Sequence, residues 1–198
     1  MLSIIICTYN RDKYLYNCLK NIAENDFVSE NYEIVLINNN STDDTEKECR
    51  RFEKDFPQVV FHYFVEKNQG LSFARNRGIQ EAKGTVFVFL DDDAFVGKDY
   101  LRNLWNNIEK YPDLAAFGGE ITPLFENGKP PKWLSRWSYS WVSAIDMGKD
   151  VRLFEKTKFP IGANMGILKK TLENVGGFNT KLGRSKKNLM GGEEKDLF

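Results

Sequence analysis

The sequence predicts an α/β fold in which a mainly parallel β-sheet has helices on both faces. Short apolar runs rich in Ile and Val alternate with segments whose apolar residues recur at helical spacing, the pattern of consecutive βαβ units. Residues 2–7 and 86–90 are almost continuously apolar, as expected of strands that are covered on both faces. Polar residues follow these runs directly, at the carboxyl ends of the strands, where such sheets bind ligands.

The order of the elements follows from where each periodicity begins and ends. Strands are predicted over residues 2–7, 33–37, 59–65 and 86–90. Helices are predicted over residues 15–22, 43–56, 72–82, 101–108 and 169–175. Asp43 and Glu46 predict a capping pair for the second helix, Pro112 ends the fourth, and Gly176 ends the fifth. Strands that alternate with helices in this way imply right-handed crossovers between parallel neighbours.

We expect the whole chain, residues 1–198, to form one domain with two unlike halves. Residues 1–113 carry the regular alternation of strands and helices. Residues 114–198 have weaker periodicity, and their first part is rich in glycine, proline and tryptophan. We interpret this second half as the irregular, substrate-facing part of the same domain.

The composition excludes several classes of protein. Lys and Arg number 28, as do Asp and Glu, so the formal net charge is zero. Because binding to phosphates through bulk charge needs a basic surplus, we expect no nucleic-acid partner. The apolar runs are far shorter than the roughly 18 residues of a membrane-spanning helix, and the first residues do not resemble a secretory signal. Three cysteines without disulfide or zinc spacing indicate a reducing, cytoplasmic location.

Three consecutive carboxylates, Asp91, Asp92 and Asp93, follow the fourth predicted strand. Adjacent carboxylates repel one another, so a folded protein gathers them where a cation or hydrogen-bond donors compensate their charge. Their hard oxygen atoms suit Mg²⁺ or Mn²⁺, which commonly bridge protein carboxylates and phosphate oxygens. The alternative is a solvated acidic turn that caps the next helix.

Arg75 lies in the first turns of a predicted helix that Gly70 precedes. A guanidinium at this position can hold a phosphate through a forked pair of hydrogen bonds. A salt bridge to the three aspartates is equally compatible with the sequence.

The turn at residues 38–43 contains more amides and hydroxyls than one helix cap requires. Ser41, Thr42 or Asp43 can accept hydrogen bonds from the free amide groups of the next helix. The surplus asparagines offer both a donor and an acceptor, so they can read a base or ribose edge. The sequence alone leaves both interpretations open.

Glu193 and Glu194 lie in a glycine-flanked segment near the end of the sequence. A carboxylate whose pKa rises beside a charged neighbour and away from water can act as a general base. The alternative is a solvated run of charged residues. The single histidine supports no Ser/His/Asp or Cys/His nucleophile.

The order of these signals resembles the family 2 glycosyltransferases with the GT-A fold, over essentially the whole chain. Five motifs carry the resemblance: residues 3–10, residues 39–43, residues 70–78 with Arg75-Asn76, the Asp91-Asp92-Asp93 element, and Gly162-Ala163-Asn164-Met165 followed by Gly176-Gly177-Phe178 and Gly192-Glu193-Glu194. The resemblance implies a Rossmann-like sheet, a nucleotide-sugar-binding half at residues 1–113 and an acceptor-side half at residues 114–198. It also implies inverting transfer of a sugar from a nucleoside diphosphate sugar to an acceptor hydroxyl.

The resemblance assigns roles to individual residues. Contacts with the nucleotide sugar are implied for Thr8, Tyr9, Asn10, Arg11, Asn38, Asn39, Arg75, Asp91 and Asp92. Asp91 and Asp93 are implied as ligands of Mn²⁺ or Mg²⁺, whose charge stabilises the departing diphosphate. Glu194, with Glu193 beside it, matches the base that removes the proton of the acceptor. Asn164 and Trp133 are implied on the acceptor side.

The implied partners are a nucleoside diphosphate sugar, with a UDP-sugar favoured, and a glycan or lipid-linked acceptor. Two motifs depart from the usual family pattern: asparagines replace an Asp after the second strand, and Glu193-Glu194 replaces Glu-Asp. Members of the family normally continue beyond this point. We therefore expect a truncated C-terminus, and peripheral contact with the inner face of a membrane through the missing region.

Some alternatives stay open at this level. Trp133, Trp137 and Trp141 can stack on a sugar face, lie against a lipid-linked acceptor or pack in the core. A non-catalytic nucleotide-sugar-binding module or inactive partner subunit is one competing function. A nucleotidyltransferase is another, which the absence of a G-x-x-x-x-G-K loop disfavours.

Overall fold

A six-stranded mixed sheet carries the fold. The computed structural model describes residues 1–125, 128–155, 158–185 and 191–198. The strands are β1 (Leu2–Thr8), β2 (Tyr32–Asn38), β3 (Phe61–Val65), β4 (Val86–Asp91), β5 (Ala116–Gly118) and β6 (Asn164–Leu168). Their order in the sheet is β3-β2-β1-β4-β6-β5. The first four strands are parallel, and β6 runs antiparallel to β4 and to β5.

Helices connect the strands and cover the sheet. In the described part of the chain they are α1 (Asp12–Ala23), α2 (Thr45–Asp55), α3 (Leu71–Glu81), α4 (Tyr100–Lys110), α5 (Lys169–Val175) and α6 (Glu193–Leu197). Two short 3₁₀ helices span Ser29–Asn31 and Arg136–Val142. Within the described residues, every helix is too short or too polar to cross a membrane.

The alternation of side chains along β1 divides the core into two layers. Leu2, Ile4 and Ile6 pack in a cluster with apolar residues of α1, α2 and α4. Ile5 points to the opposite face and packs in a second cluster with residues of α3 and α5. Because both faces are covered, the strands can be apolar along their whole length. The predicted α/β fold with helices on both faces of a mainly parallel sheet is confirmed.

The register of the parallel strands brings their polar ends to one edge of the sheet. Thr8 at the end of β1 is paired with Asn38 at the end of β2, and Cys7 is paired with Asp91 at the end of β4. The loops that follow these strands therefore leave the sheet side by side. This edge is where the sequence predicts a ligand site.

The second half differs most from the prediction. Its residues form β5 and β6, which extend the sheet as antiparallel strands, and α6, which the sequence did not reveal. In the first half, the predicted strands and helices are present with small shifts at their ends. The predicted capping pair is wrong: α2 begins at Thr45, after Asp44, and Asp43 lies outside the helix.

Candidate active site

The loops after β1 and β2 are tied together by hydrogen bonds between their polar side chains. The backbone amide of Asn10 donates to Ser41 Oγ (3.0 Å), and the amide of Thr42 donates to Asn10 Oδ1 (2.8 Å). Asn10 and Asn40 both adopt left-handed backbone angles, with φ of 54° and 63°, which asparagine tolerates better than most residues. The two loops thus form one connected rim at the edge of the sheet.

Asp43 joins the starts of two helices in this rim. Its Oδ1 accepts from the amide of Thr45 (3.2 Å), and its Oδ2 accepts from the amide of Asp12 (3.1 Å), so the carboxylate serves both α2 and α1. Desolvation acts to raise the pKa of Asp43, but the hydrogen bonds from Thr45 and Asp12 outweigh it and lower the pKa. Of the residues predicted as helix caps, Asp43 is therefore the one that accepts from the first amide of α2.

Asn39 holds the loop that precedes α3. Its Oδ1 accepts from the amide of Gly70 (2.8 Å), and its Nδ2 donates to the carbonyls of Asn68 (2.7 Å) and Glu66 (3.1 Å). The neighbouring Asn38 donates to Tyr63 Oη (2.8 Å) and accepts from the amide of Ser41 (2.8 Å). The side-chain amides of Asn38 and Asn39 therefore stabilise the rim by hydrogen bonds within the protein. The predicted contacts of these two residues with a base stay predictions.

A cavity of about 220 Å³ opens between this rim and α3. Its lining residues are Cys7, Thr8, Tyr9, Asn39, Gln69, Leu71, Ala74, Arg184 and Ser185. Three of the predicted nucleotide contacts, Thr8, Tyr9 and Asn39, thus share one cavity. Arg184 and Ser185 are lining residues that sequence reasoning missed, because their segment has neither periodicity nor a motif that would single them out.

Arg75 is the centre of a buried charged cluster. Its side chain is only 4% exposed; Nη1 donates to Glu193 Oε1 (3.1 Å) and Nη2 to Glu194 Oε1 (3.0 Å). The guanidinium also lies over the ring of Phe178, 5.1 Å from its centroid. The salt bridge considered for Arg75 is thus made with the two glutamates and not with the three aspartates.

The two glutamates differ in how their second oxygen is used. Glu193 is almost fully buried, and its Oε2 has no hydrogen-bond partner among the described residues. The Oε1 of Glu194 also accepts from the amide of Gly162 (3.3 Å), while no donor reaches its Oε2 in the described part of the chain. The solvated charged run considered for this segment is therefore wrong for Glu193, which is enclosed by protein.

Gly162 is required by this cluster on steric grounds. A Cβ atom added to it would lie 1.8 Å from Arg75 Nη2 and 2.8 Å from Glu194 Oε1. Any larger residue would displace the guanidinium or the carboxylate. The motif that begins at Gly162 therefore shapes the space around Glu194.

The three aspartates meet very different surroundings. Asp92 is buried, and burial raises its pKa to about 6 against the opposing effects of the Thr8 hydroxyl and the Arg11 guanidinium. Arg11 Nε lies 3.5 Å from Asp92 Oδ1, and Arg11 Nη2 contacts the carboxylate of the more exposed Asp93. Arg11, which is predicted as a nucleotide contact, therefore forms ion pairs with Asp92 and Asp93 that the sequence did not predict.

Asp91, the last residue of β4, is exposed, in contrast to the buried Asp92. Desolvation in the crevice raises its pKa; Arg75 opposes this, and the negative charges of Asp93 and Glu194 add to it. Asp91 and Asp93 both expose their carboxylates at this strand end, and carboxylate oxygen atoms are ligands that hard divalent ions prefer. No group of three or more His, Cys, Asp or Glu side chains is arranged as a metal site within the described residues.

The two residues assigned to the acceptor side lie in different surroundings. Asn164, at the start of β6, accepts from Tyr100 Oη (2.7 Å) and donates to the carbonyl of Glu120 (3.0 Å), so it links α4 to the chain after β5. Trp133 is 68% exposed and is not among the residues that line the cavity. Trp137 and Trp141 are even more exposed, so the alternative of core packing is wrong for all three tryptophans.

Solved structures share this architecture. A mannosyltransferase from Pyrobaculum calidifontis, solved with GDP-Man and Mn²⁺, superposes with a TM-score of 0.71 at 22% identity, covering 93% of this chain and 49% of the other. TarS from S. aureus in complex with UDP gives a TM-score of 0.71 at 18% identity, covering 99% of this chain and 53% of the other. With the site at the carboxyl edge of a mainly parallel sheet, these likenesses define a GT-A fold.

The sequence identifies the family within that fold. The model of glycosyl transferase family 2 matches residues 3–176, so the chain belongs to this family. A glucosyl-dolichyl phosphate glucuronosyltransferase from Haloferax volcanii is 26% identical over 186 residues, which cover 92% of this chain and 57% of the relative. The chain therefore spans little more than half the length of this relative.

Proposed function

We propose that this chain supplies the donor site and the catalytic base of a glycosyltransferase. The transfer moves a sugar from a nucleoside diphosphate sugar to an acceptor hydroxyl, with inversion at the anomeric carbon. The observation that carries the proposal is the placement of Glu194. Its carboxylate is held through Oε1 by Arg75 and the amide of Gly162, and its charge acts on Asp91 at the end of β4.

The nucleotide is assigned to the 220 Å³ cavity. Thr8, Tyr9 and Asn39 line the side formed by β1 and β2, and Arg184 lines the opposite side. A base in this cavity directs its ribose toward Asp92 and its diphosphate toward Asp91 and Asp93. Asn10, Arg11 and Asn38 contribute by holding the rim and the aspartates in place.

Asp91 and Asp93 would hold Mn²⁺ or Mg²⁺. Such an ion, when bound, supplies positive charge that stabilises the departing diphosphate. Desolvation and the negative charges of Asp93 and Glu194 raise the pKa of Asp91, and a nearby cation would oppose these effects because it favours the charged form of a carboxylate. The Mn²⁺ in the mannosyltransferase from Pyrobaculum calidifontis is consistent with a divalent ion in this fold.

Glu194 removes the proton of the acceptor hydroxyl as that oxygen attacks the anomeric carbon. Because Oε1 already accepts two hydrogen bonds, Oε2 is the oxygen that takes the proton. Arg75 donates from Nη2 to Glu194 and from Nη1 to Glu193. This double contact holds the Glu194 carboxylate in one geometry. Orientation of this kind is a large part of what a general base requires.

For the donor and the acceptor we propose only the chemical class. TarS was solved with UDP, which supports a UDP-sugar, while the mannosyltransferase was solved with GDP-Man. The name of the Haloferax volcanii relative supports a lipid-linked acceptor or a growing glycan. We assign Asn164 to the acceptor side, and we retain the expectations of a single domain and of a cytoplasmic location at the inner face of a membrane.

The test begins with donor binding. UDP, GDP and dTDP are titrated into the chain by calorimetry, with and without Mn²⁺; we expect one of them to bind, and to bind more tightly with the metal. The hydrolysis of the corresponding nucleotide sugar is then monitored, and its products are identified. Free nucleoside diphosphate supports glycosyl transfer. In a parallel assay with a nucleoside triphosphate and a sugar 1-phosphate, release of pyrophosphate would indicate nucleotidyl transfer. Binding without any turnover in the presence of acceptor would indicate a nucleotide-sugar-binding module.

A further inference from the structure

Three exposed tryptophans lie in one short segment, residues 133–141, in the second half of the chain. The side chains of Trp133, Trp137 and Trp141 are 68%, 94% and 80% exposed. We call these three residues the tryptophan face. Indole rings are large and apolar, and soluble proteins rarely expose several of them together unless they bind something.

The local fold keeps this face outward. Leu134 and Ser138, each one position after a tryptophan, are buried, so packed residues lie directly beside the exposed indoles in the sequence. The amide of Ser135 donates to Ser138 Oγ (3.0 Å), which fixes the start of the 3₁₀ helix Arg136–Val142. The exposure of the indoles is therefore a consequence of ordered packing behind them.

The stretch of sequence from residue 128 to residue 145, which contains the tryptophan face, carries charge of one sign. Between residues 128 and 145 the sequence has three basic residues, Lys129, Lys132 and Arg136, and no Asp or Glu. Lys129 and Lys132 are exposed, and neither forms an ion pair with any described residue. The whole chain is neutral, so this stretch is a local basic surplus that is complementary to an anionic surface.

We propose that the tryptophan face docks on an anionic lipid bilayer. Indole rings favour the headgroup region, because the ring is apolar while its N–H can still donate a hydrogen bond. Neighbouring lysines add attraction to anionic headgroups. A glycan could stack on the rings, but it would not explain the basic surplus in the same stretch.

Docking in this way is independent of sugar transfer, because it requires neither donor nor metal. If the proposed function also holds, docking would bring the site to the surface where a lipid-linked acceptor lies. A failure of vesicle binding would therefore leave the donor titrations unaffected, and a failure of donor binding would leave vesicle binding unaffected.

The experiment measures sedimentation of the 198-residue chain with vesicles of phosphatidylcholine alone and with vesicles that also contain phosphatidylglycerol. We expect binding to the anionic vesicles, with a blue shift of tryptophan fluorescence. Trp105, the fourth tryptophan, donates to Glu109 (2.9 Å) on α4 and supplies a constant background.

Two pairs of variants separate the contributions. Trp137→Ala with Trp141→Ala is expected to reduce vesicle affinity about tenfold or more, from the lost interfacial anchoring of two indoles. Lys129→Glu with Lys132→Glu is expected to reduce it by more than about fivefold for each lysine on anionic vesicles, because each change reverses a charge and does not merely remove it. The matched controls are Val28→Ala for an exposed apolar residue and Lys47→Glu with Lys54→Glu on α2 for exposed charges; neither should change binding.

Each outcome bears on the proposal. Circular dichroism verifies that each variant is folded, and because the lysine pair tests the same surface by charge alone, the proposal does not depend on the tryptophan variants. No binding by the unaltered chain, or equal binding of neutral and anionic vesicles, would overturn it. Loss of binding in the control variants to the same extent would also overturn it, since the effect would then not belong to the tryptophan face.

Discussion

Arg75 Nη2 lies 3.0 Å from Glu194 Oε1, although the two residues are 119 positions apart in the sequence. The same guanidinium reaches Glu193 on its other nitrogen, at 3.1 Å. This double contact fastens α6 to α3, so the proposed base depends on a residue of the first half for its position. The cluster is almost entirely buried, and its integrity therefore matters for both folding and chemistry.

Arg75→Met should destabilise the chain strongly. The substitution leaves two buried carboxylates without their cation, and breaking a buried ion pair from one side costs about 3–5 kcal/mol. Urea unfolding followed by circular dichroism measures the difference. The matched control is Arg50→Met on α2, whose ion pairs are exposed and are worth about 0–1 kcal/mol. Equal losses in the two variants would contradict the importance of the buried cluster.

Glu194→Gln should separate donor binding from turnover. The amide oxygen of Gln can still accept from Arg75 and from the amide of Gly162, so the fold and the affinity for nucleoside diphosphate are retained. Without a carboxylate to take the proton, turnover should fall roughly 10² to 10⁴-fold, the range of a lost general base. Transfer is measured with the natural acceptor, or as donor hydrolysis where that occurs. Glu173→Gln, on the exposed side of α5, is the control; unchanged turnover in Glu194→Gln would exclude Glu194 as the base.

The elements of the first half were predictable because each is long enough to show its own periodicity. β1 and β4 are apolar on both faces, and α1 buries residues at helical spacing, so local pattern and tertiary environment agree. β5 has three residues and β6 has five, and β6 leads directly into α5. Strands this short leave no periodic signal, and pairing with β4 is what defines them.

The site was predictable as a set of residue types but not as a set of contacts. The polar loops after β1, β2 and β4 could be expected to converge, since parallel strands end at one edge. The pairing of Arg75 with Glu193 and Glu194 could not be predicted, because no spacing rule links residues that are more than a hundred positions apart. The exposure of Trp137 and Trp141 could not be predicted either, because large aromatic residues are mostly buried in folded proteins.

Asp43→Asn should weaken stability in a pH-dependent way. The pKa of Asp43 is held below its ordinary value by hydrogen bonds from Thr45 and Asp12, so the charged form stabilises the folded state. That contribution is present above the ordinary carboxyl pKa of about 3.9 and is lost as the pH falls through the lower pKa of the folded state. The single side-chain oxygen of asparagine can accept from only one of the two backbone amides, Asp12 or Thr45, at a time. The free energy of unfolding at neutral pH should therefore fall by about 1 kcal/mol, as for a lost helix cap.

Urea midpoints at neutral and at strongly acidic pH measure this difference. We expect the unaltered chain and Asp43→Asn to differ at neutral pH and to converge in acid. Asp44→Asn is the control, because Asp44 pairs only with the exposed Lys47 among the described residues. A difference between the unaltered chain and the Asp43→Asn variant that stays constant with pH would mean that the charge of the carboxylate is not what stabilises the loop.

Asp91→Asn should strongly reduce the stabilisation that metal and nucleotide give to the folded chain. For the unaltered chain, UDP with Mn²⁺ at a hundredfold excess over the dissociation constant should raise the free energy of unfolding by about 2.7 kcal/mol. The variant should gain much less. Its metal-free stability should not fall, because desolvation and then the charges of Asp93 and Glu194 raise the pKa of Asp91 in spite of Arg75, so the ionised form is less favourable in the folded chain than in water. Thermal unfolding with and without chelator measures both effects. Asp99→Asn, an exposed position before α4, serves as the control, and a full ligand response in Asp91→Asn would contradict the assignment.

Gly162→Ala should disturb the base without removing any charged group. The added Cβ would approach Arg75 Nη2 to 1.8 Å and Glu194 Oε1 to 2.8 Å, and because both partners are enclosed, one of them must move. Overpacking of this kind costs about 1–3 kcal/mol, and a displaced carboxylate should lower turnover more than it lowers nucleotide affinity. Gly97→Ala is the matched control, since its Cβ would meet only Asp99 Oδ1 at 3.4 Å. Turnover and unfolding are measured on the same samples. A Gly162→Ala chain with unchanged turnover would show that Glu194 need not be held by Arg75 and the amide of residue 162 in order to act.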